Sequence, residues 1–147
     1  MTDIGTSRRY RPDPSRIGQP EAWGPARANA SVTSNCVIIA VEGELDASNA
    51  PQLSSYIERH QFIADRLYLD LREVTFCATA ELAVLYRVQH QRVEHGAYWR
   101  LLAGPAVRKL LRVCNAGGLP QLDNLDRVLG PSARQRPLAT SLANTLT

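Results

Sequence analysis

No stretch of this 147-residue chain approaches the ~20 consecutive apolar residues of a membrane-spanning helix, and the longest good run covers only residues 36–41. The start, Met1-Thr2-Asp3, develops no apolar signal core, so export by that route is not expected. Cysteine is scarce. Three residues, none in a Cys-x-x-Cys pair, speak against a disulfide framework and against a structural zinc site. Lysine is scarcer still: the single copy, Lys109, falls mid-helix, outside any Gly-x-x-x-x-Gly-Lys-Ser/Thr phosphate loop. No Gly-x-Gly-x-x-Gly follows a strand either. His90 and His95 are five apart, so on a helix they diverge by about 140° and do not form a metal pair. With His60 they read as solvated helix histidines. Carboxylates are numerous, yet an isolated Glu44 or Asp46 carries no catalysis. No active site, metal or cofactor is expected, and the chain reads as a cytoplasmic protein.

What is present suits one folded domain: 44% hydrophobic residues and 21% charged. The net charge of +3 sits in the ends. Residues 1–34 carry five arginines against three acids, and residues 130–147 carry Arg134 and Arg136 with no acid. Residues 35–129 hold ten basic and eleven acidic side chains. A nucleic-acid surface wants cations clustered on a folded face or a long basic arm, so direct contact with nucleic acid is not expected.

Four prolines and three glycines without hydrophobic period mark the N-terminal part, and residues 1–27 are read as a disordered or loosely packed tail. Residues 130–147 read as a second tail, with Leu138, Leu142 and Leu146 as a weak helical stripe. Between them, strands and helices alternate. Residues 28–32 suggest a strand; residues 36–41, a β-branched run, suggest a central one buried on both faces. Ser48-Asn49-Ala50-Pro51 reads as a capped helix start with proline in the first turn, and the helix reaches about His60. Residues 66–71 predict a second core strand, followed by a loop. Thr79 reads as the N-cap of a helix over 80–95, ended by Gly96 in the left-handed conformation. Residues 98–103 predict a third core strand. A helix opens at Gly104-Pro105 and closes at Gly117-Gly118, and residues 125–129 suggest a last short strand. Crossover connections imply an α/β layered fold, with a mostly parallel mixed sheet of 4–5 strands covered by helices.

The informative segment runs from Leu69 to Leu82. A core strand ends and a helix begins, presenting unpaired N–H groups and the positive end of its dipole. A hydroxyl at Thr79 suits a cap. The same geometry also accommodates a phosphorylated hydroxyl, which adds about −1.5 to −2 charge. The helix beyond is apolar nearly all round in its first two turns, through Leu82, Ala83, Val84, Leu85, Tyr86 and Val88. Either neighbouring helices bury the excess, or it forms a docking patch. Cys77 near a helix start, together with Cys114, is a redox candidate, since such a thiol can have a lowered pKa. A buried, inert thiol is the alternative.

Three blocks make the sequence resemble the STAS domains of bacterial anti-sigma factor antagonists. The strand of residues 37–41 followed by Gly43-Glu44-Leu45-Asp46 is similar to the family's Gly-Glu-Leu-Asp signature. Leu69-Asp70-Leu71 through Val74-Thr75-Phe76 resembles its strand with Val-Thr-Phe. Residues 96–119 resemble its last strand and helix. The likeness covers about residues 28–129, taken as the domain.

In that family the strand-to-helix loop reads Asp-Ser-Ser-Gly-Leu, and its first serine is phosphorylated by a partner kinase. The resemblance aligns these positions with Ala78, Thr79, Ala80, Glu81 and Leu82, so only the hydroxyl and the leucine match. It implies an antagonist that binds an anti-sigma factor of the serine/threonine kinase type and frees a sigma factor. Partner-binding residues would be Glu44, Asp46, Cys77, Ala78, Thr79, Ala80, Glu81 and Leu82, with Thr79 as phosphoacceptor candidate. Glu81 would favour the helix dipole when Thr79 is bare and repel a phosphate there. A homodimer is left open. The alternative is a non-phosphorylated sensing or scaffold module that binds a small ligand or responds to redox state through Cys77 and Cys114.

Overall fold

The computed structural model describes residues 18–33 and 35–125. Its elements are β1 (Glu21–Trp23), β2 (Ala26–Thr33), β3 (Cys36–Leu45), α1 (Ala50–His60), β4 (Arg66–Cys77), α2 (Ala80–Glu94), β5 (Tyr98–Ala103) and α3 (Pro105–Val113). The strands form one sheet in chain order. Short hairpins join β1 to β2 and β2 to β3 antiparallel, whereas the helical crossovers leave β3, β4 and β5 parallel. The α/β class with a five-stranded mixed sheet is as the sequence implies, although parallel pairing is confined to half of the strand pairs.

Alternation along the strands fixes the core. Val37, Ile39 and Val41 of β3, Leu67, Leu69 and Leu71 of β4, and Leu101 and Ala103 of β5 pack with Leu53, Tyr56 and Ile57 of α1, Val84, Leu85 and Val88 of α2, and Val107 and Leu111 of α3. Each fully buried aliphatic chain there contributes about 1.5–3 kcal/mol. The intervening Cys36, Ile38, Tyr68 and Leu102 face the other way and meet Leu125, with Leu122 against them. The central strand is thus buried on both faces. After α3 the chain returns along β5: the Leu101 N–H donates to the Pro120 carbonyl at 2.8 Å and the Leu122 N–H to the Leu101 carbonyl at 2.9 Å. Among the described residues the last edge pairing falls at Gln121; of the strand expected over 125–129 only Leu125 is described, and it packs on this face.

Several expectations need correction. Residues 21–23, read as part of the N-terminal tail, form β1, because Trp23 is buried against Tyr56 in an edge-on contact with ring centroids 5.7 Å apart. The isolated Trp23 gave no periodic signal. Residues 1–17 and 126–147, including the leucine stripe, lie outside the described residues. The helix after β5 ends at Val113 with Cys114 as its C-cap, and Asn115, not a glycine of the Gly117-Gly118 pair, takes the left-handed conformation (φ 55°). Gly96 does so after α2 (φ 60°) as the sequence implies.

His60 is not solvated. It is fully buried, its Nε2 accepting the Gly18 N–H at 2.8 Å and its Nδ1–H donating to the Tyr56 carbonyl at 2.7 Å. Arg92, also buried, donates to the carbonyls of Gln61 (2.9 Å), Asp65 (2.9 Å) and Tyr98 (2.6 Å) and stacks on Phe62. It ties the α1–β4 connection to the start of β5.

Candidate functional site

The expected site residues converge where β3 and β4 end and α1 and α2 begin. Leu45 is paired with Cys77 and Glu44 with Phe76, and the Ala78 N–H donates to the Leu45 carbonyl at 2.9 Å. β4 continues to Cys77, so the segment after Leu71, expected as a loop, is strand. Two register shifts between β3 and β4, opposite Ala40/Glu42 and Gly43/Glu44, each leave one extra residue on β4 and bend this end of the sheet. Gly43 sits beside the second of them and lets the chain at Pro25 approach closely. Its φ is +98°, and a Cβ there would lie 2.1 Å from the Pro25 carbonyl oxygen, a collision no side chain tolerates.

Asn49 sets the turn before α1. It makes no side-chain cap bond to its helix, contrary to the reading of Ser48-Asn49 as a capped start. Its Nδ2 instead donates to the Glu44 carbonyl (2.9 Å) and to the Trp23 carbonyl (3.3 Å), while its Oδ1 accepts the Asp46 N–H at 3.0 Å. Asp46 in turn accepts the hydroxyl and N–H of Ser48, and these bonds hold its carboxyl below the usual range. A buried amide thus fixes an acidic turn at the mouth of the site. Spacing alone could not separate that bridging role from a cap.

Thr79 is exposed at the start of α2, with helical backbone (φ −62°, ψ −23°) and no side-chain cap bond. The expected cap is absent because a helical backbone does not aim the hydroxyl at the N–H groups a turn later. That leaves the hydroxyl facing water. Of the first two turns of α2, Val84, Leu85 and Val88 are buried and Leu82 is half-buried, whereas Ala83 and Tyr86 are exposed. Thr79, Ala83 and Tyr86 fall on one helical face by their spacing. Phe76, 53% exposed at the end of β4, and Tyr86, 48% exposed, are large apolar groups left to solvent. Neighbouring helices therefore bury only part of the excess apolar surface, and Tyr86 goes beyond the site residues picked from the sequence.

Glu81 differs most from expectation. Its side chain is 0% exposed, and neither carboxyl oxygen has a hydrogen-bond partner. Burial, with the negative charge of Asp46 second, pushes it up to about 7. It cannot touch a partner from this position, because α2 begins with that residue turned inward. Cys77 is half-buried, and burial, with Glu81 second, pushes its thiol up to about 12. The lowered pKa expected of a redox cysteine is reversed. Desolvation outweighs the helix start, and an acidic neighbour adds to it. Cys114 is half-buried, and none of the three cysteines forms a disulfide. Glu44 is exposed, Asp46 and Ala78 are half-buried, and Ala80 packs partly on the core.

The chain resembles known proteins over the same region. The solved structure of an anti-sigma factor antagonist from Mycobacterium paratuberculosis superposes with a TM-score of 0.61 at 22% identity, over 69% of this chain and 89% of that one. The unphosphorylated anti-sigma factor antagonist SpoIIAA gives 0.58 at 19% identity, over 69% and 95%. At these identities the likeness shows a shared fold. Osmosensory protein A of Mycobacterium tuberculosis is 28% identical over 85 residues, 58% of this chain and 54% of that protein, so the match spans about half its length. Among the described residues no helix is long and apolar enough to cross a membrane. The STAS domain family model matches residues 27–125, about two thirds of the sequence, and takes in four of the five strands, from the second residue of β2 onward. With the Gly43 bend, the β3–β4 junction and α2 in place, the chain belongs to the STAS domain family.

Proposed function

We propose that this protein is an anti-sigma factor antagonist that binds an anti-sigma factor at the β3–β4 junction and so frees a sigma factor. The carrying observation is Thr79: an exposed hydroxyl, bonded to no cap, at the start of a helix whose open face continues through Ala83 and Tyr86. The fold shared with anti-sigma factor antagonists supports the same reading. Exposed Glu44 and half-buried Asp46, at the end of β3 beside the start of α2, make the rim acidic, while Glu42 further back is paired with Arg27 at 3.8 Å, so the facing surface of the partner is basic. Binding works by competition, with no catalysis and no contact with nucleic acid. Transcription changes because the sigma factor is released. A kinase-type partner would phosphorylate Thr79 and end the complex, since the new charge falls on the acidic rim.

The experiment is incubation of the full chain with the host's anti-sigma factors and ATP, read by intact mass and by binding before and after. A complex lost on phosphate addition, with no phosphate on Thr79→Ala, supports the proposal. Phosphate on both proteins rejects the site.

A second reading keeps the binding but drops phosphoregulation. Glu81 favours it: an uncompensated acid two residues from Thr79 makes a phosphate harder to accommodate. A complex formed with no phosphate transfer to either protein is its signature. Redox sensing through Cys77 loses support from the raised thiol.

A further inference from the structure

Glu81 lacks a donor where a buried carboxyl most needs one. It lies in the first turn of α2, 0% exposed, with both oxygens unpaired. The titratable groups that face it are Asp46, from the turn between β3 and α1, and Cys77, from the end of β4. Neither supplies positive charge, and among the described residues no cation forms an ion pair with it. The turn that encloses it is the first of its helix and has no side-chain cap. The N–H groups of Glu81 and Leu82 donate to the carbonyls of Ala78 and Thr79 at 3.0 Å in tight three-residue turns, and no side chain caps the helix.

Isolated ionised carboxylates are costly to keep from water, and the cheapest relief is local opening of the least stable neighbouring segment. We infer that Glu81 is a proton-operated latch on the start of α2. Neutral, it stays packed beneath the first turn; ionised, it favours an opened turn in which the carboxylate reaches water. The opened segment carries Thr79 and Leu82. The latch therefore regulates the surface assigned above to the anti-sigma factor, and that consequence rests on the proposed function.

Linkage sets the direction of the effect. A carboxyl that loses its proton at about 7 when seated, against 4.5 when free in water, shifts the equilibrium between those two values. Opening then grows about tenfold per pH unit across that window and levels off above it. A partner that selects the seated turn binds more weakly as pH rises through the same range.

The test uses the full chain without a partner. The Glu81 carboxyl carbon is titrated by NMR in the wild-type protein. Amide exchange at Ala80, Glu81 and Leu82, corrected for its intrinsic pH dependence, is followed in wild type and in Glu81→Gln. The latch predicts a carboxyl midpoint near 7, opening that grows roughly 100-fold from pH 4.5 to 7, and no such growth in Glu81→Gln. A midpoint in the ordinary carboxylate range, flat opening in wild type, or growth that persists in Glu81→Gln overturns it. If Glu81→Gln does not fold, the wild-type titration decides alone, since midpoint and opening must move together. None of these readings involves an anti-sigma factor, so failure of the binding proposal and failure of the latch are separate results.

Discussion

The backbone N–H of Ala78 donates to the carbonyl of Leu45 at 2.9 Å, so β3 and β4 leave the sheet as a bonded pair. The acidic turn at Asp46, next after β3, and the start of α2 at Thr79, next after β4, are thereby held side by side. The surface proposed for the partner is a property of this pairing.

Thr79 does not contribute to that framework. Its hydroxyl makes no cap bond, so Thr79→Ala should change unfolding free energy by less than ~0.5 kcal/mol, against about 1 kcal/mol for loss of a true N-cap. Urea unfolding of the two proteins checks this. A loss of the larger size would mean that the hydroxyl is engaged.

Asn49 is the opposite case. Asn49→Ala removes three hydrogen bonds and leaves the Glu44 and Trp23 carbonyls without that donor. The expected loss is about 2–3 kcal/mol, measured by the same unfolding. Asn49→Asp keeps an acceptor for the Asp46 N–H but sets a carboxylate against two carbonyls, and should be no more stable than Asn49→Ala.

Arg92 is buried where three carbonyls, two from the α1–β4 connection and one from the start of β5, meet one branched donor. Arg92→Met preserves much of the volume and removes every bond, for an expected cost of about 3 kcal/mol. Amide exchange in residues 61–65 should accelerate along with it.

His60 and Glu81 give opposing pH dependences. Burial lowers the His60 pKa below 6.5, so the unfolded chain takes up the proton first and stability falls as pH drops through that value. Glu81, raised from 4.5 to about 7, holds its proton longer in the folded state, so its share of stability falls as pH rises across that interval, by up to ~3 kcal/mol. Glu81→Gln should therefore leave stability rising from pH 5 to 7, and His60→Gln should leave it falling over the same range. Denaturation midpoints at pH 5, 6 and 7 for the three proteins check both signs.

The strands and helices with strong periods were legible in the sequence: the run at Val37–Ile38–Ile39, the three parallel strands, Gly96 after α2. Motif order made the β3–β4 junction legible too, because Gly43-Glu44-Leu45-Asp46 and Val74-Thr75-Phe76 share its geometry. Side-chain direction was not. A threonine before a helix looks the same whether it caps or faces water, and Glu81 in a first turn looks like a solvated charge until α2 is rotated onto the sheet. Trp23 escaped for a different reason. A three-residue edge strand among prolines has no period, and its place depends on contacts with Tyr56 and Asn49 far along the chain.

Calorimetric titration of the full chain with the host's anti-sigma factors tests the central claim most directly, with Thr79→Glu, Tyr86→Ala and, on α3, Val113→Ala as comparisons. The account predicts a complex with at least one of them, weakened tenfold or more (about 1.4 kcal/mol) by each of the first two changes and unaffected by the third. No complex with any anti-sigma factor, or one equally tight for all four proteins, would contradict it.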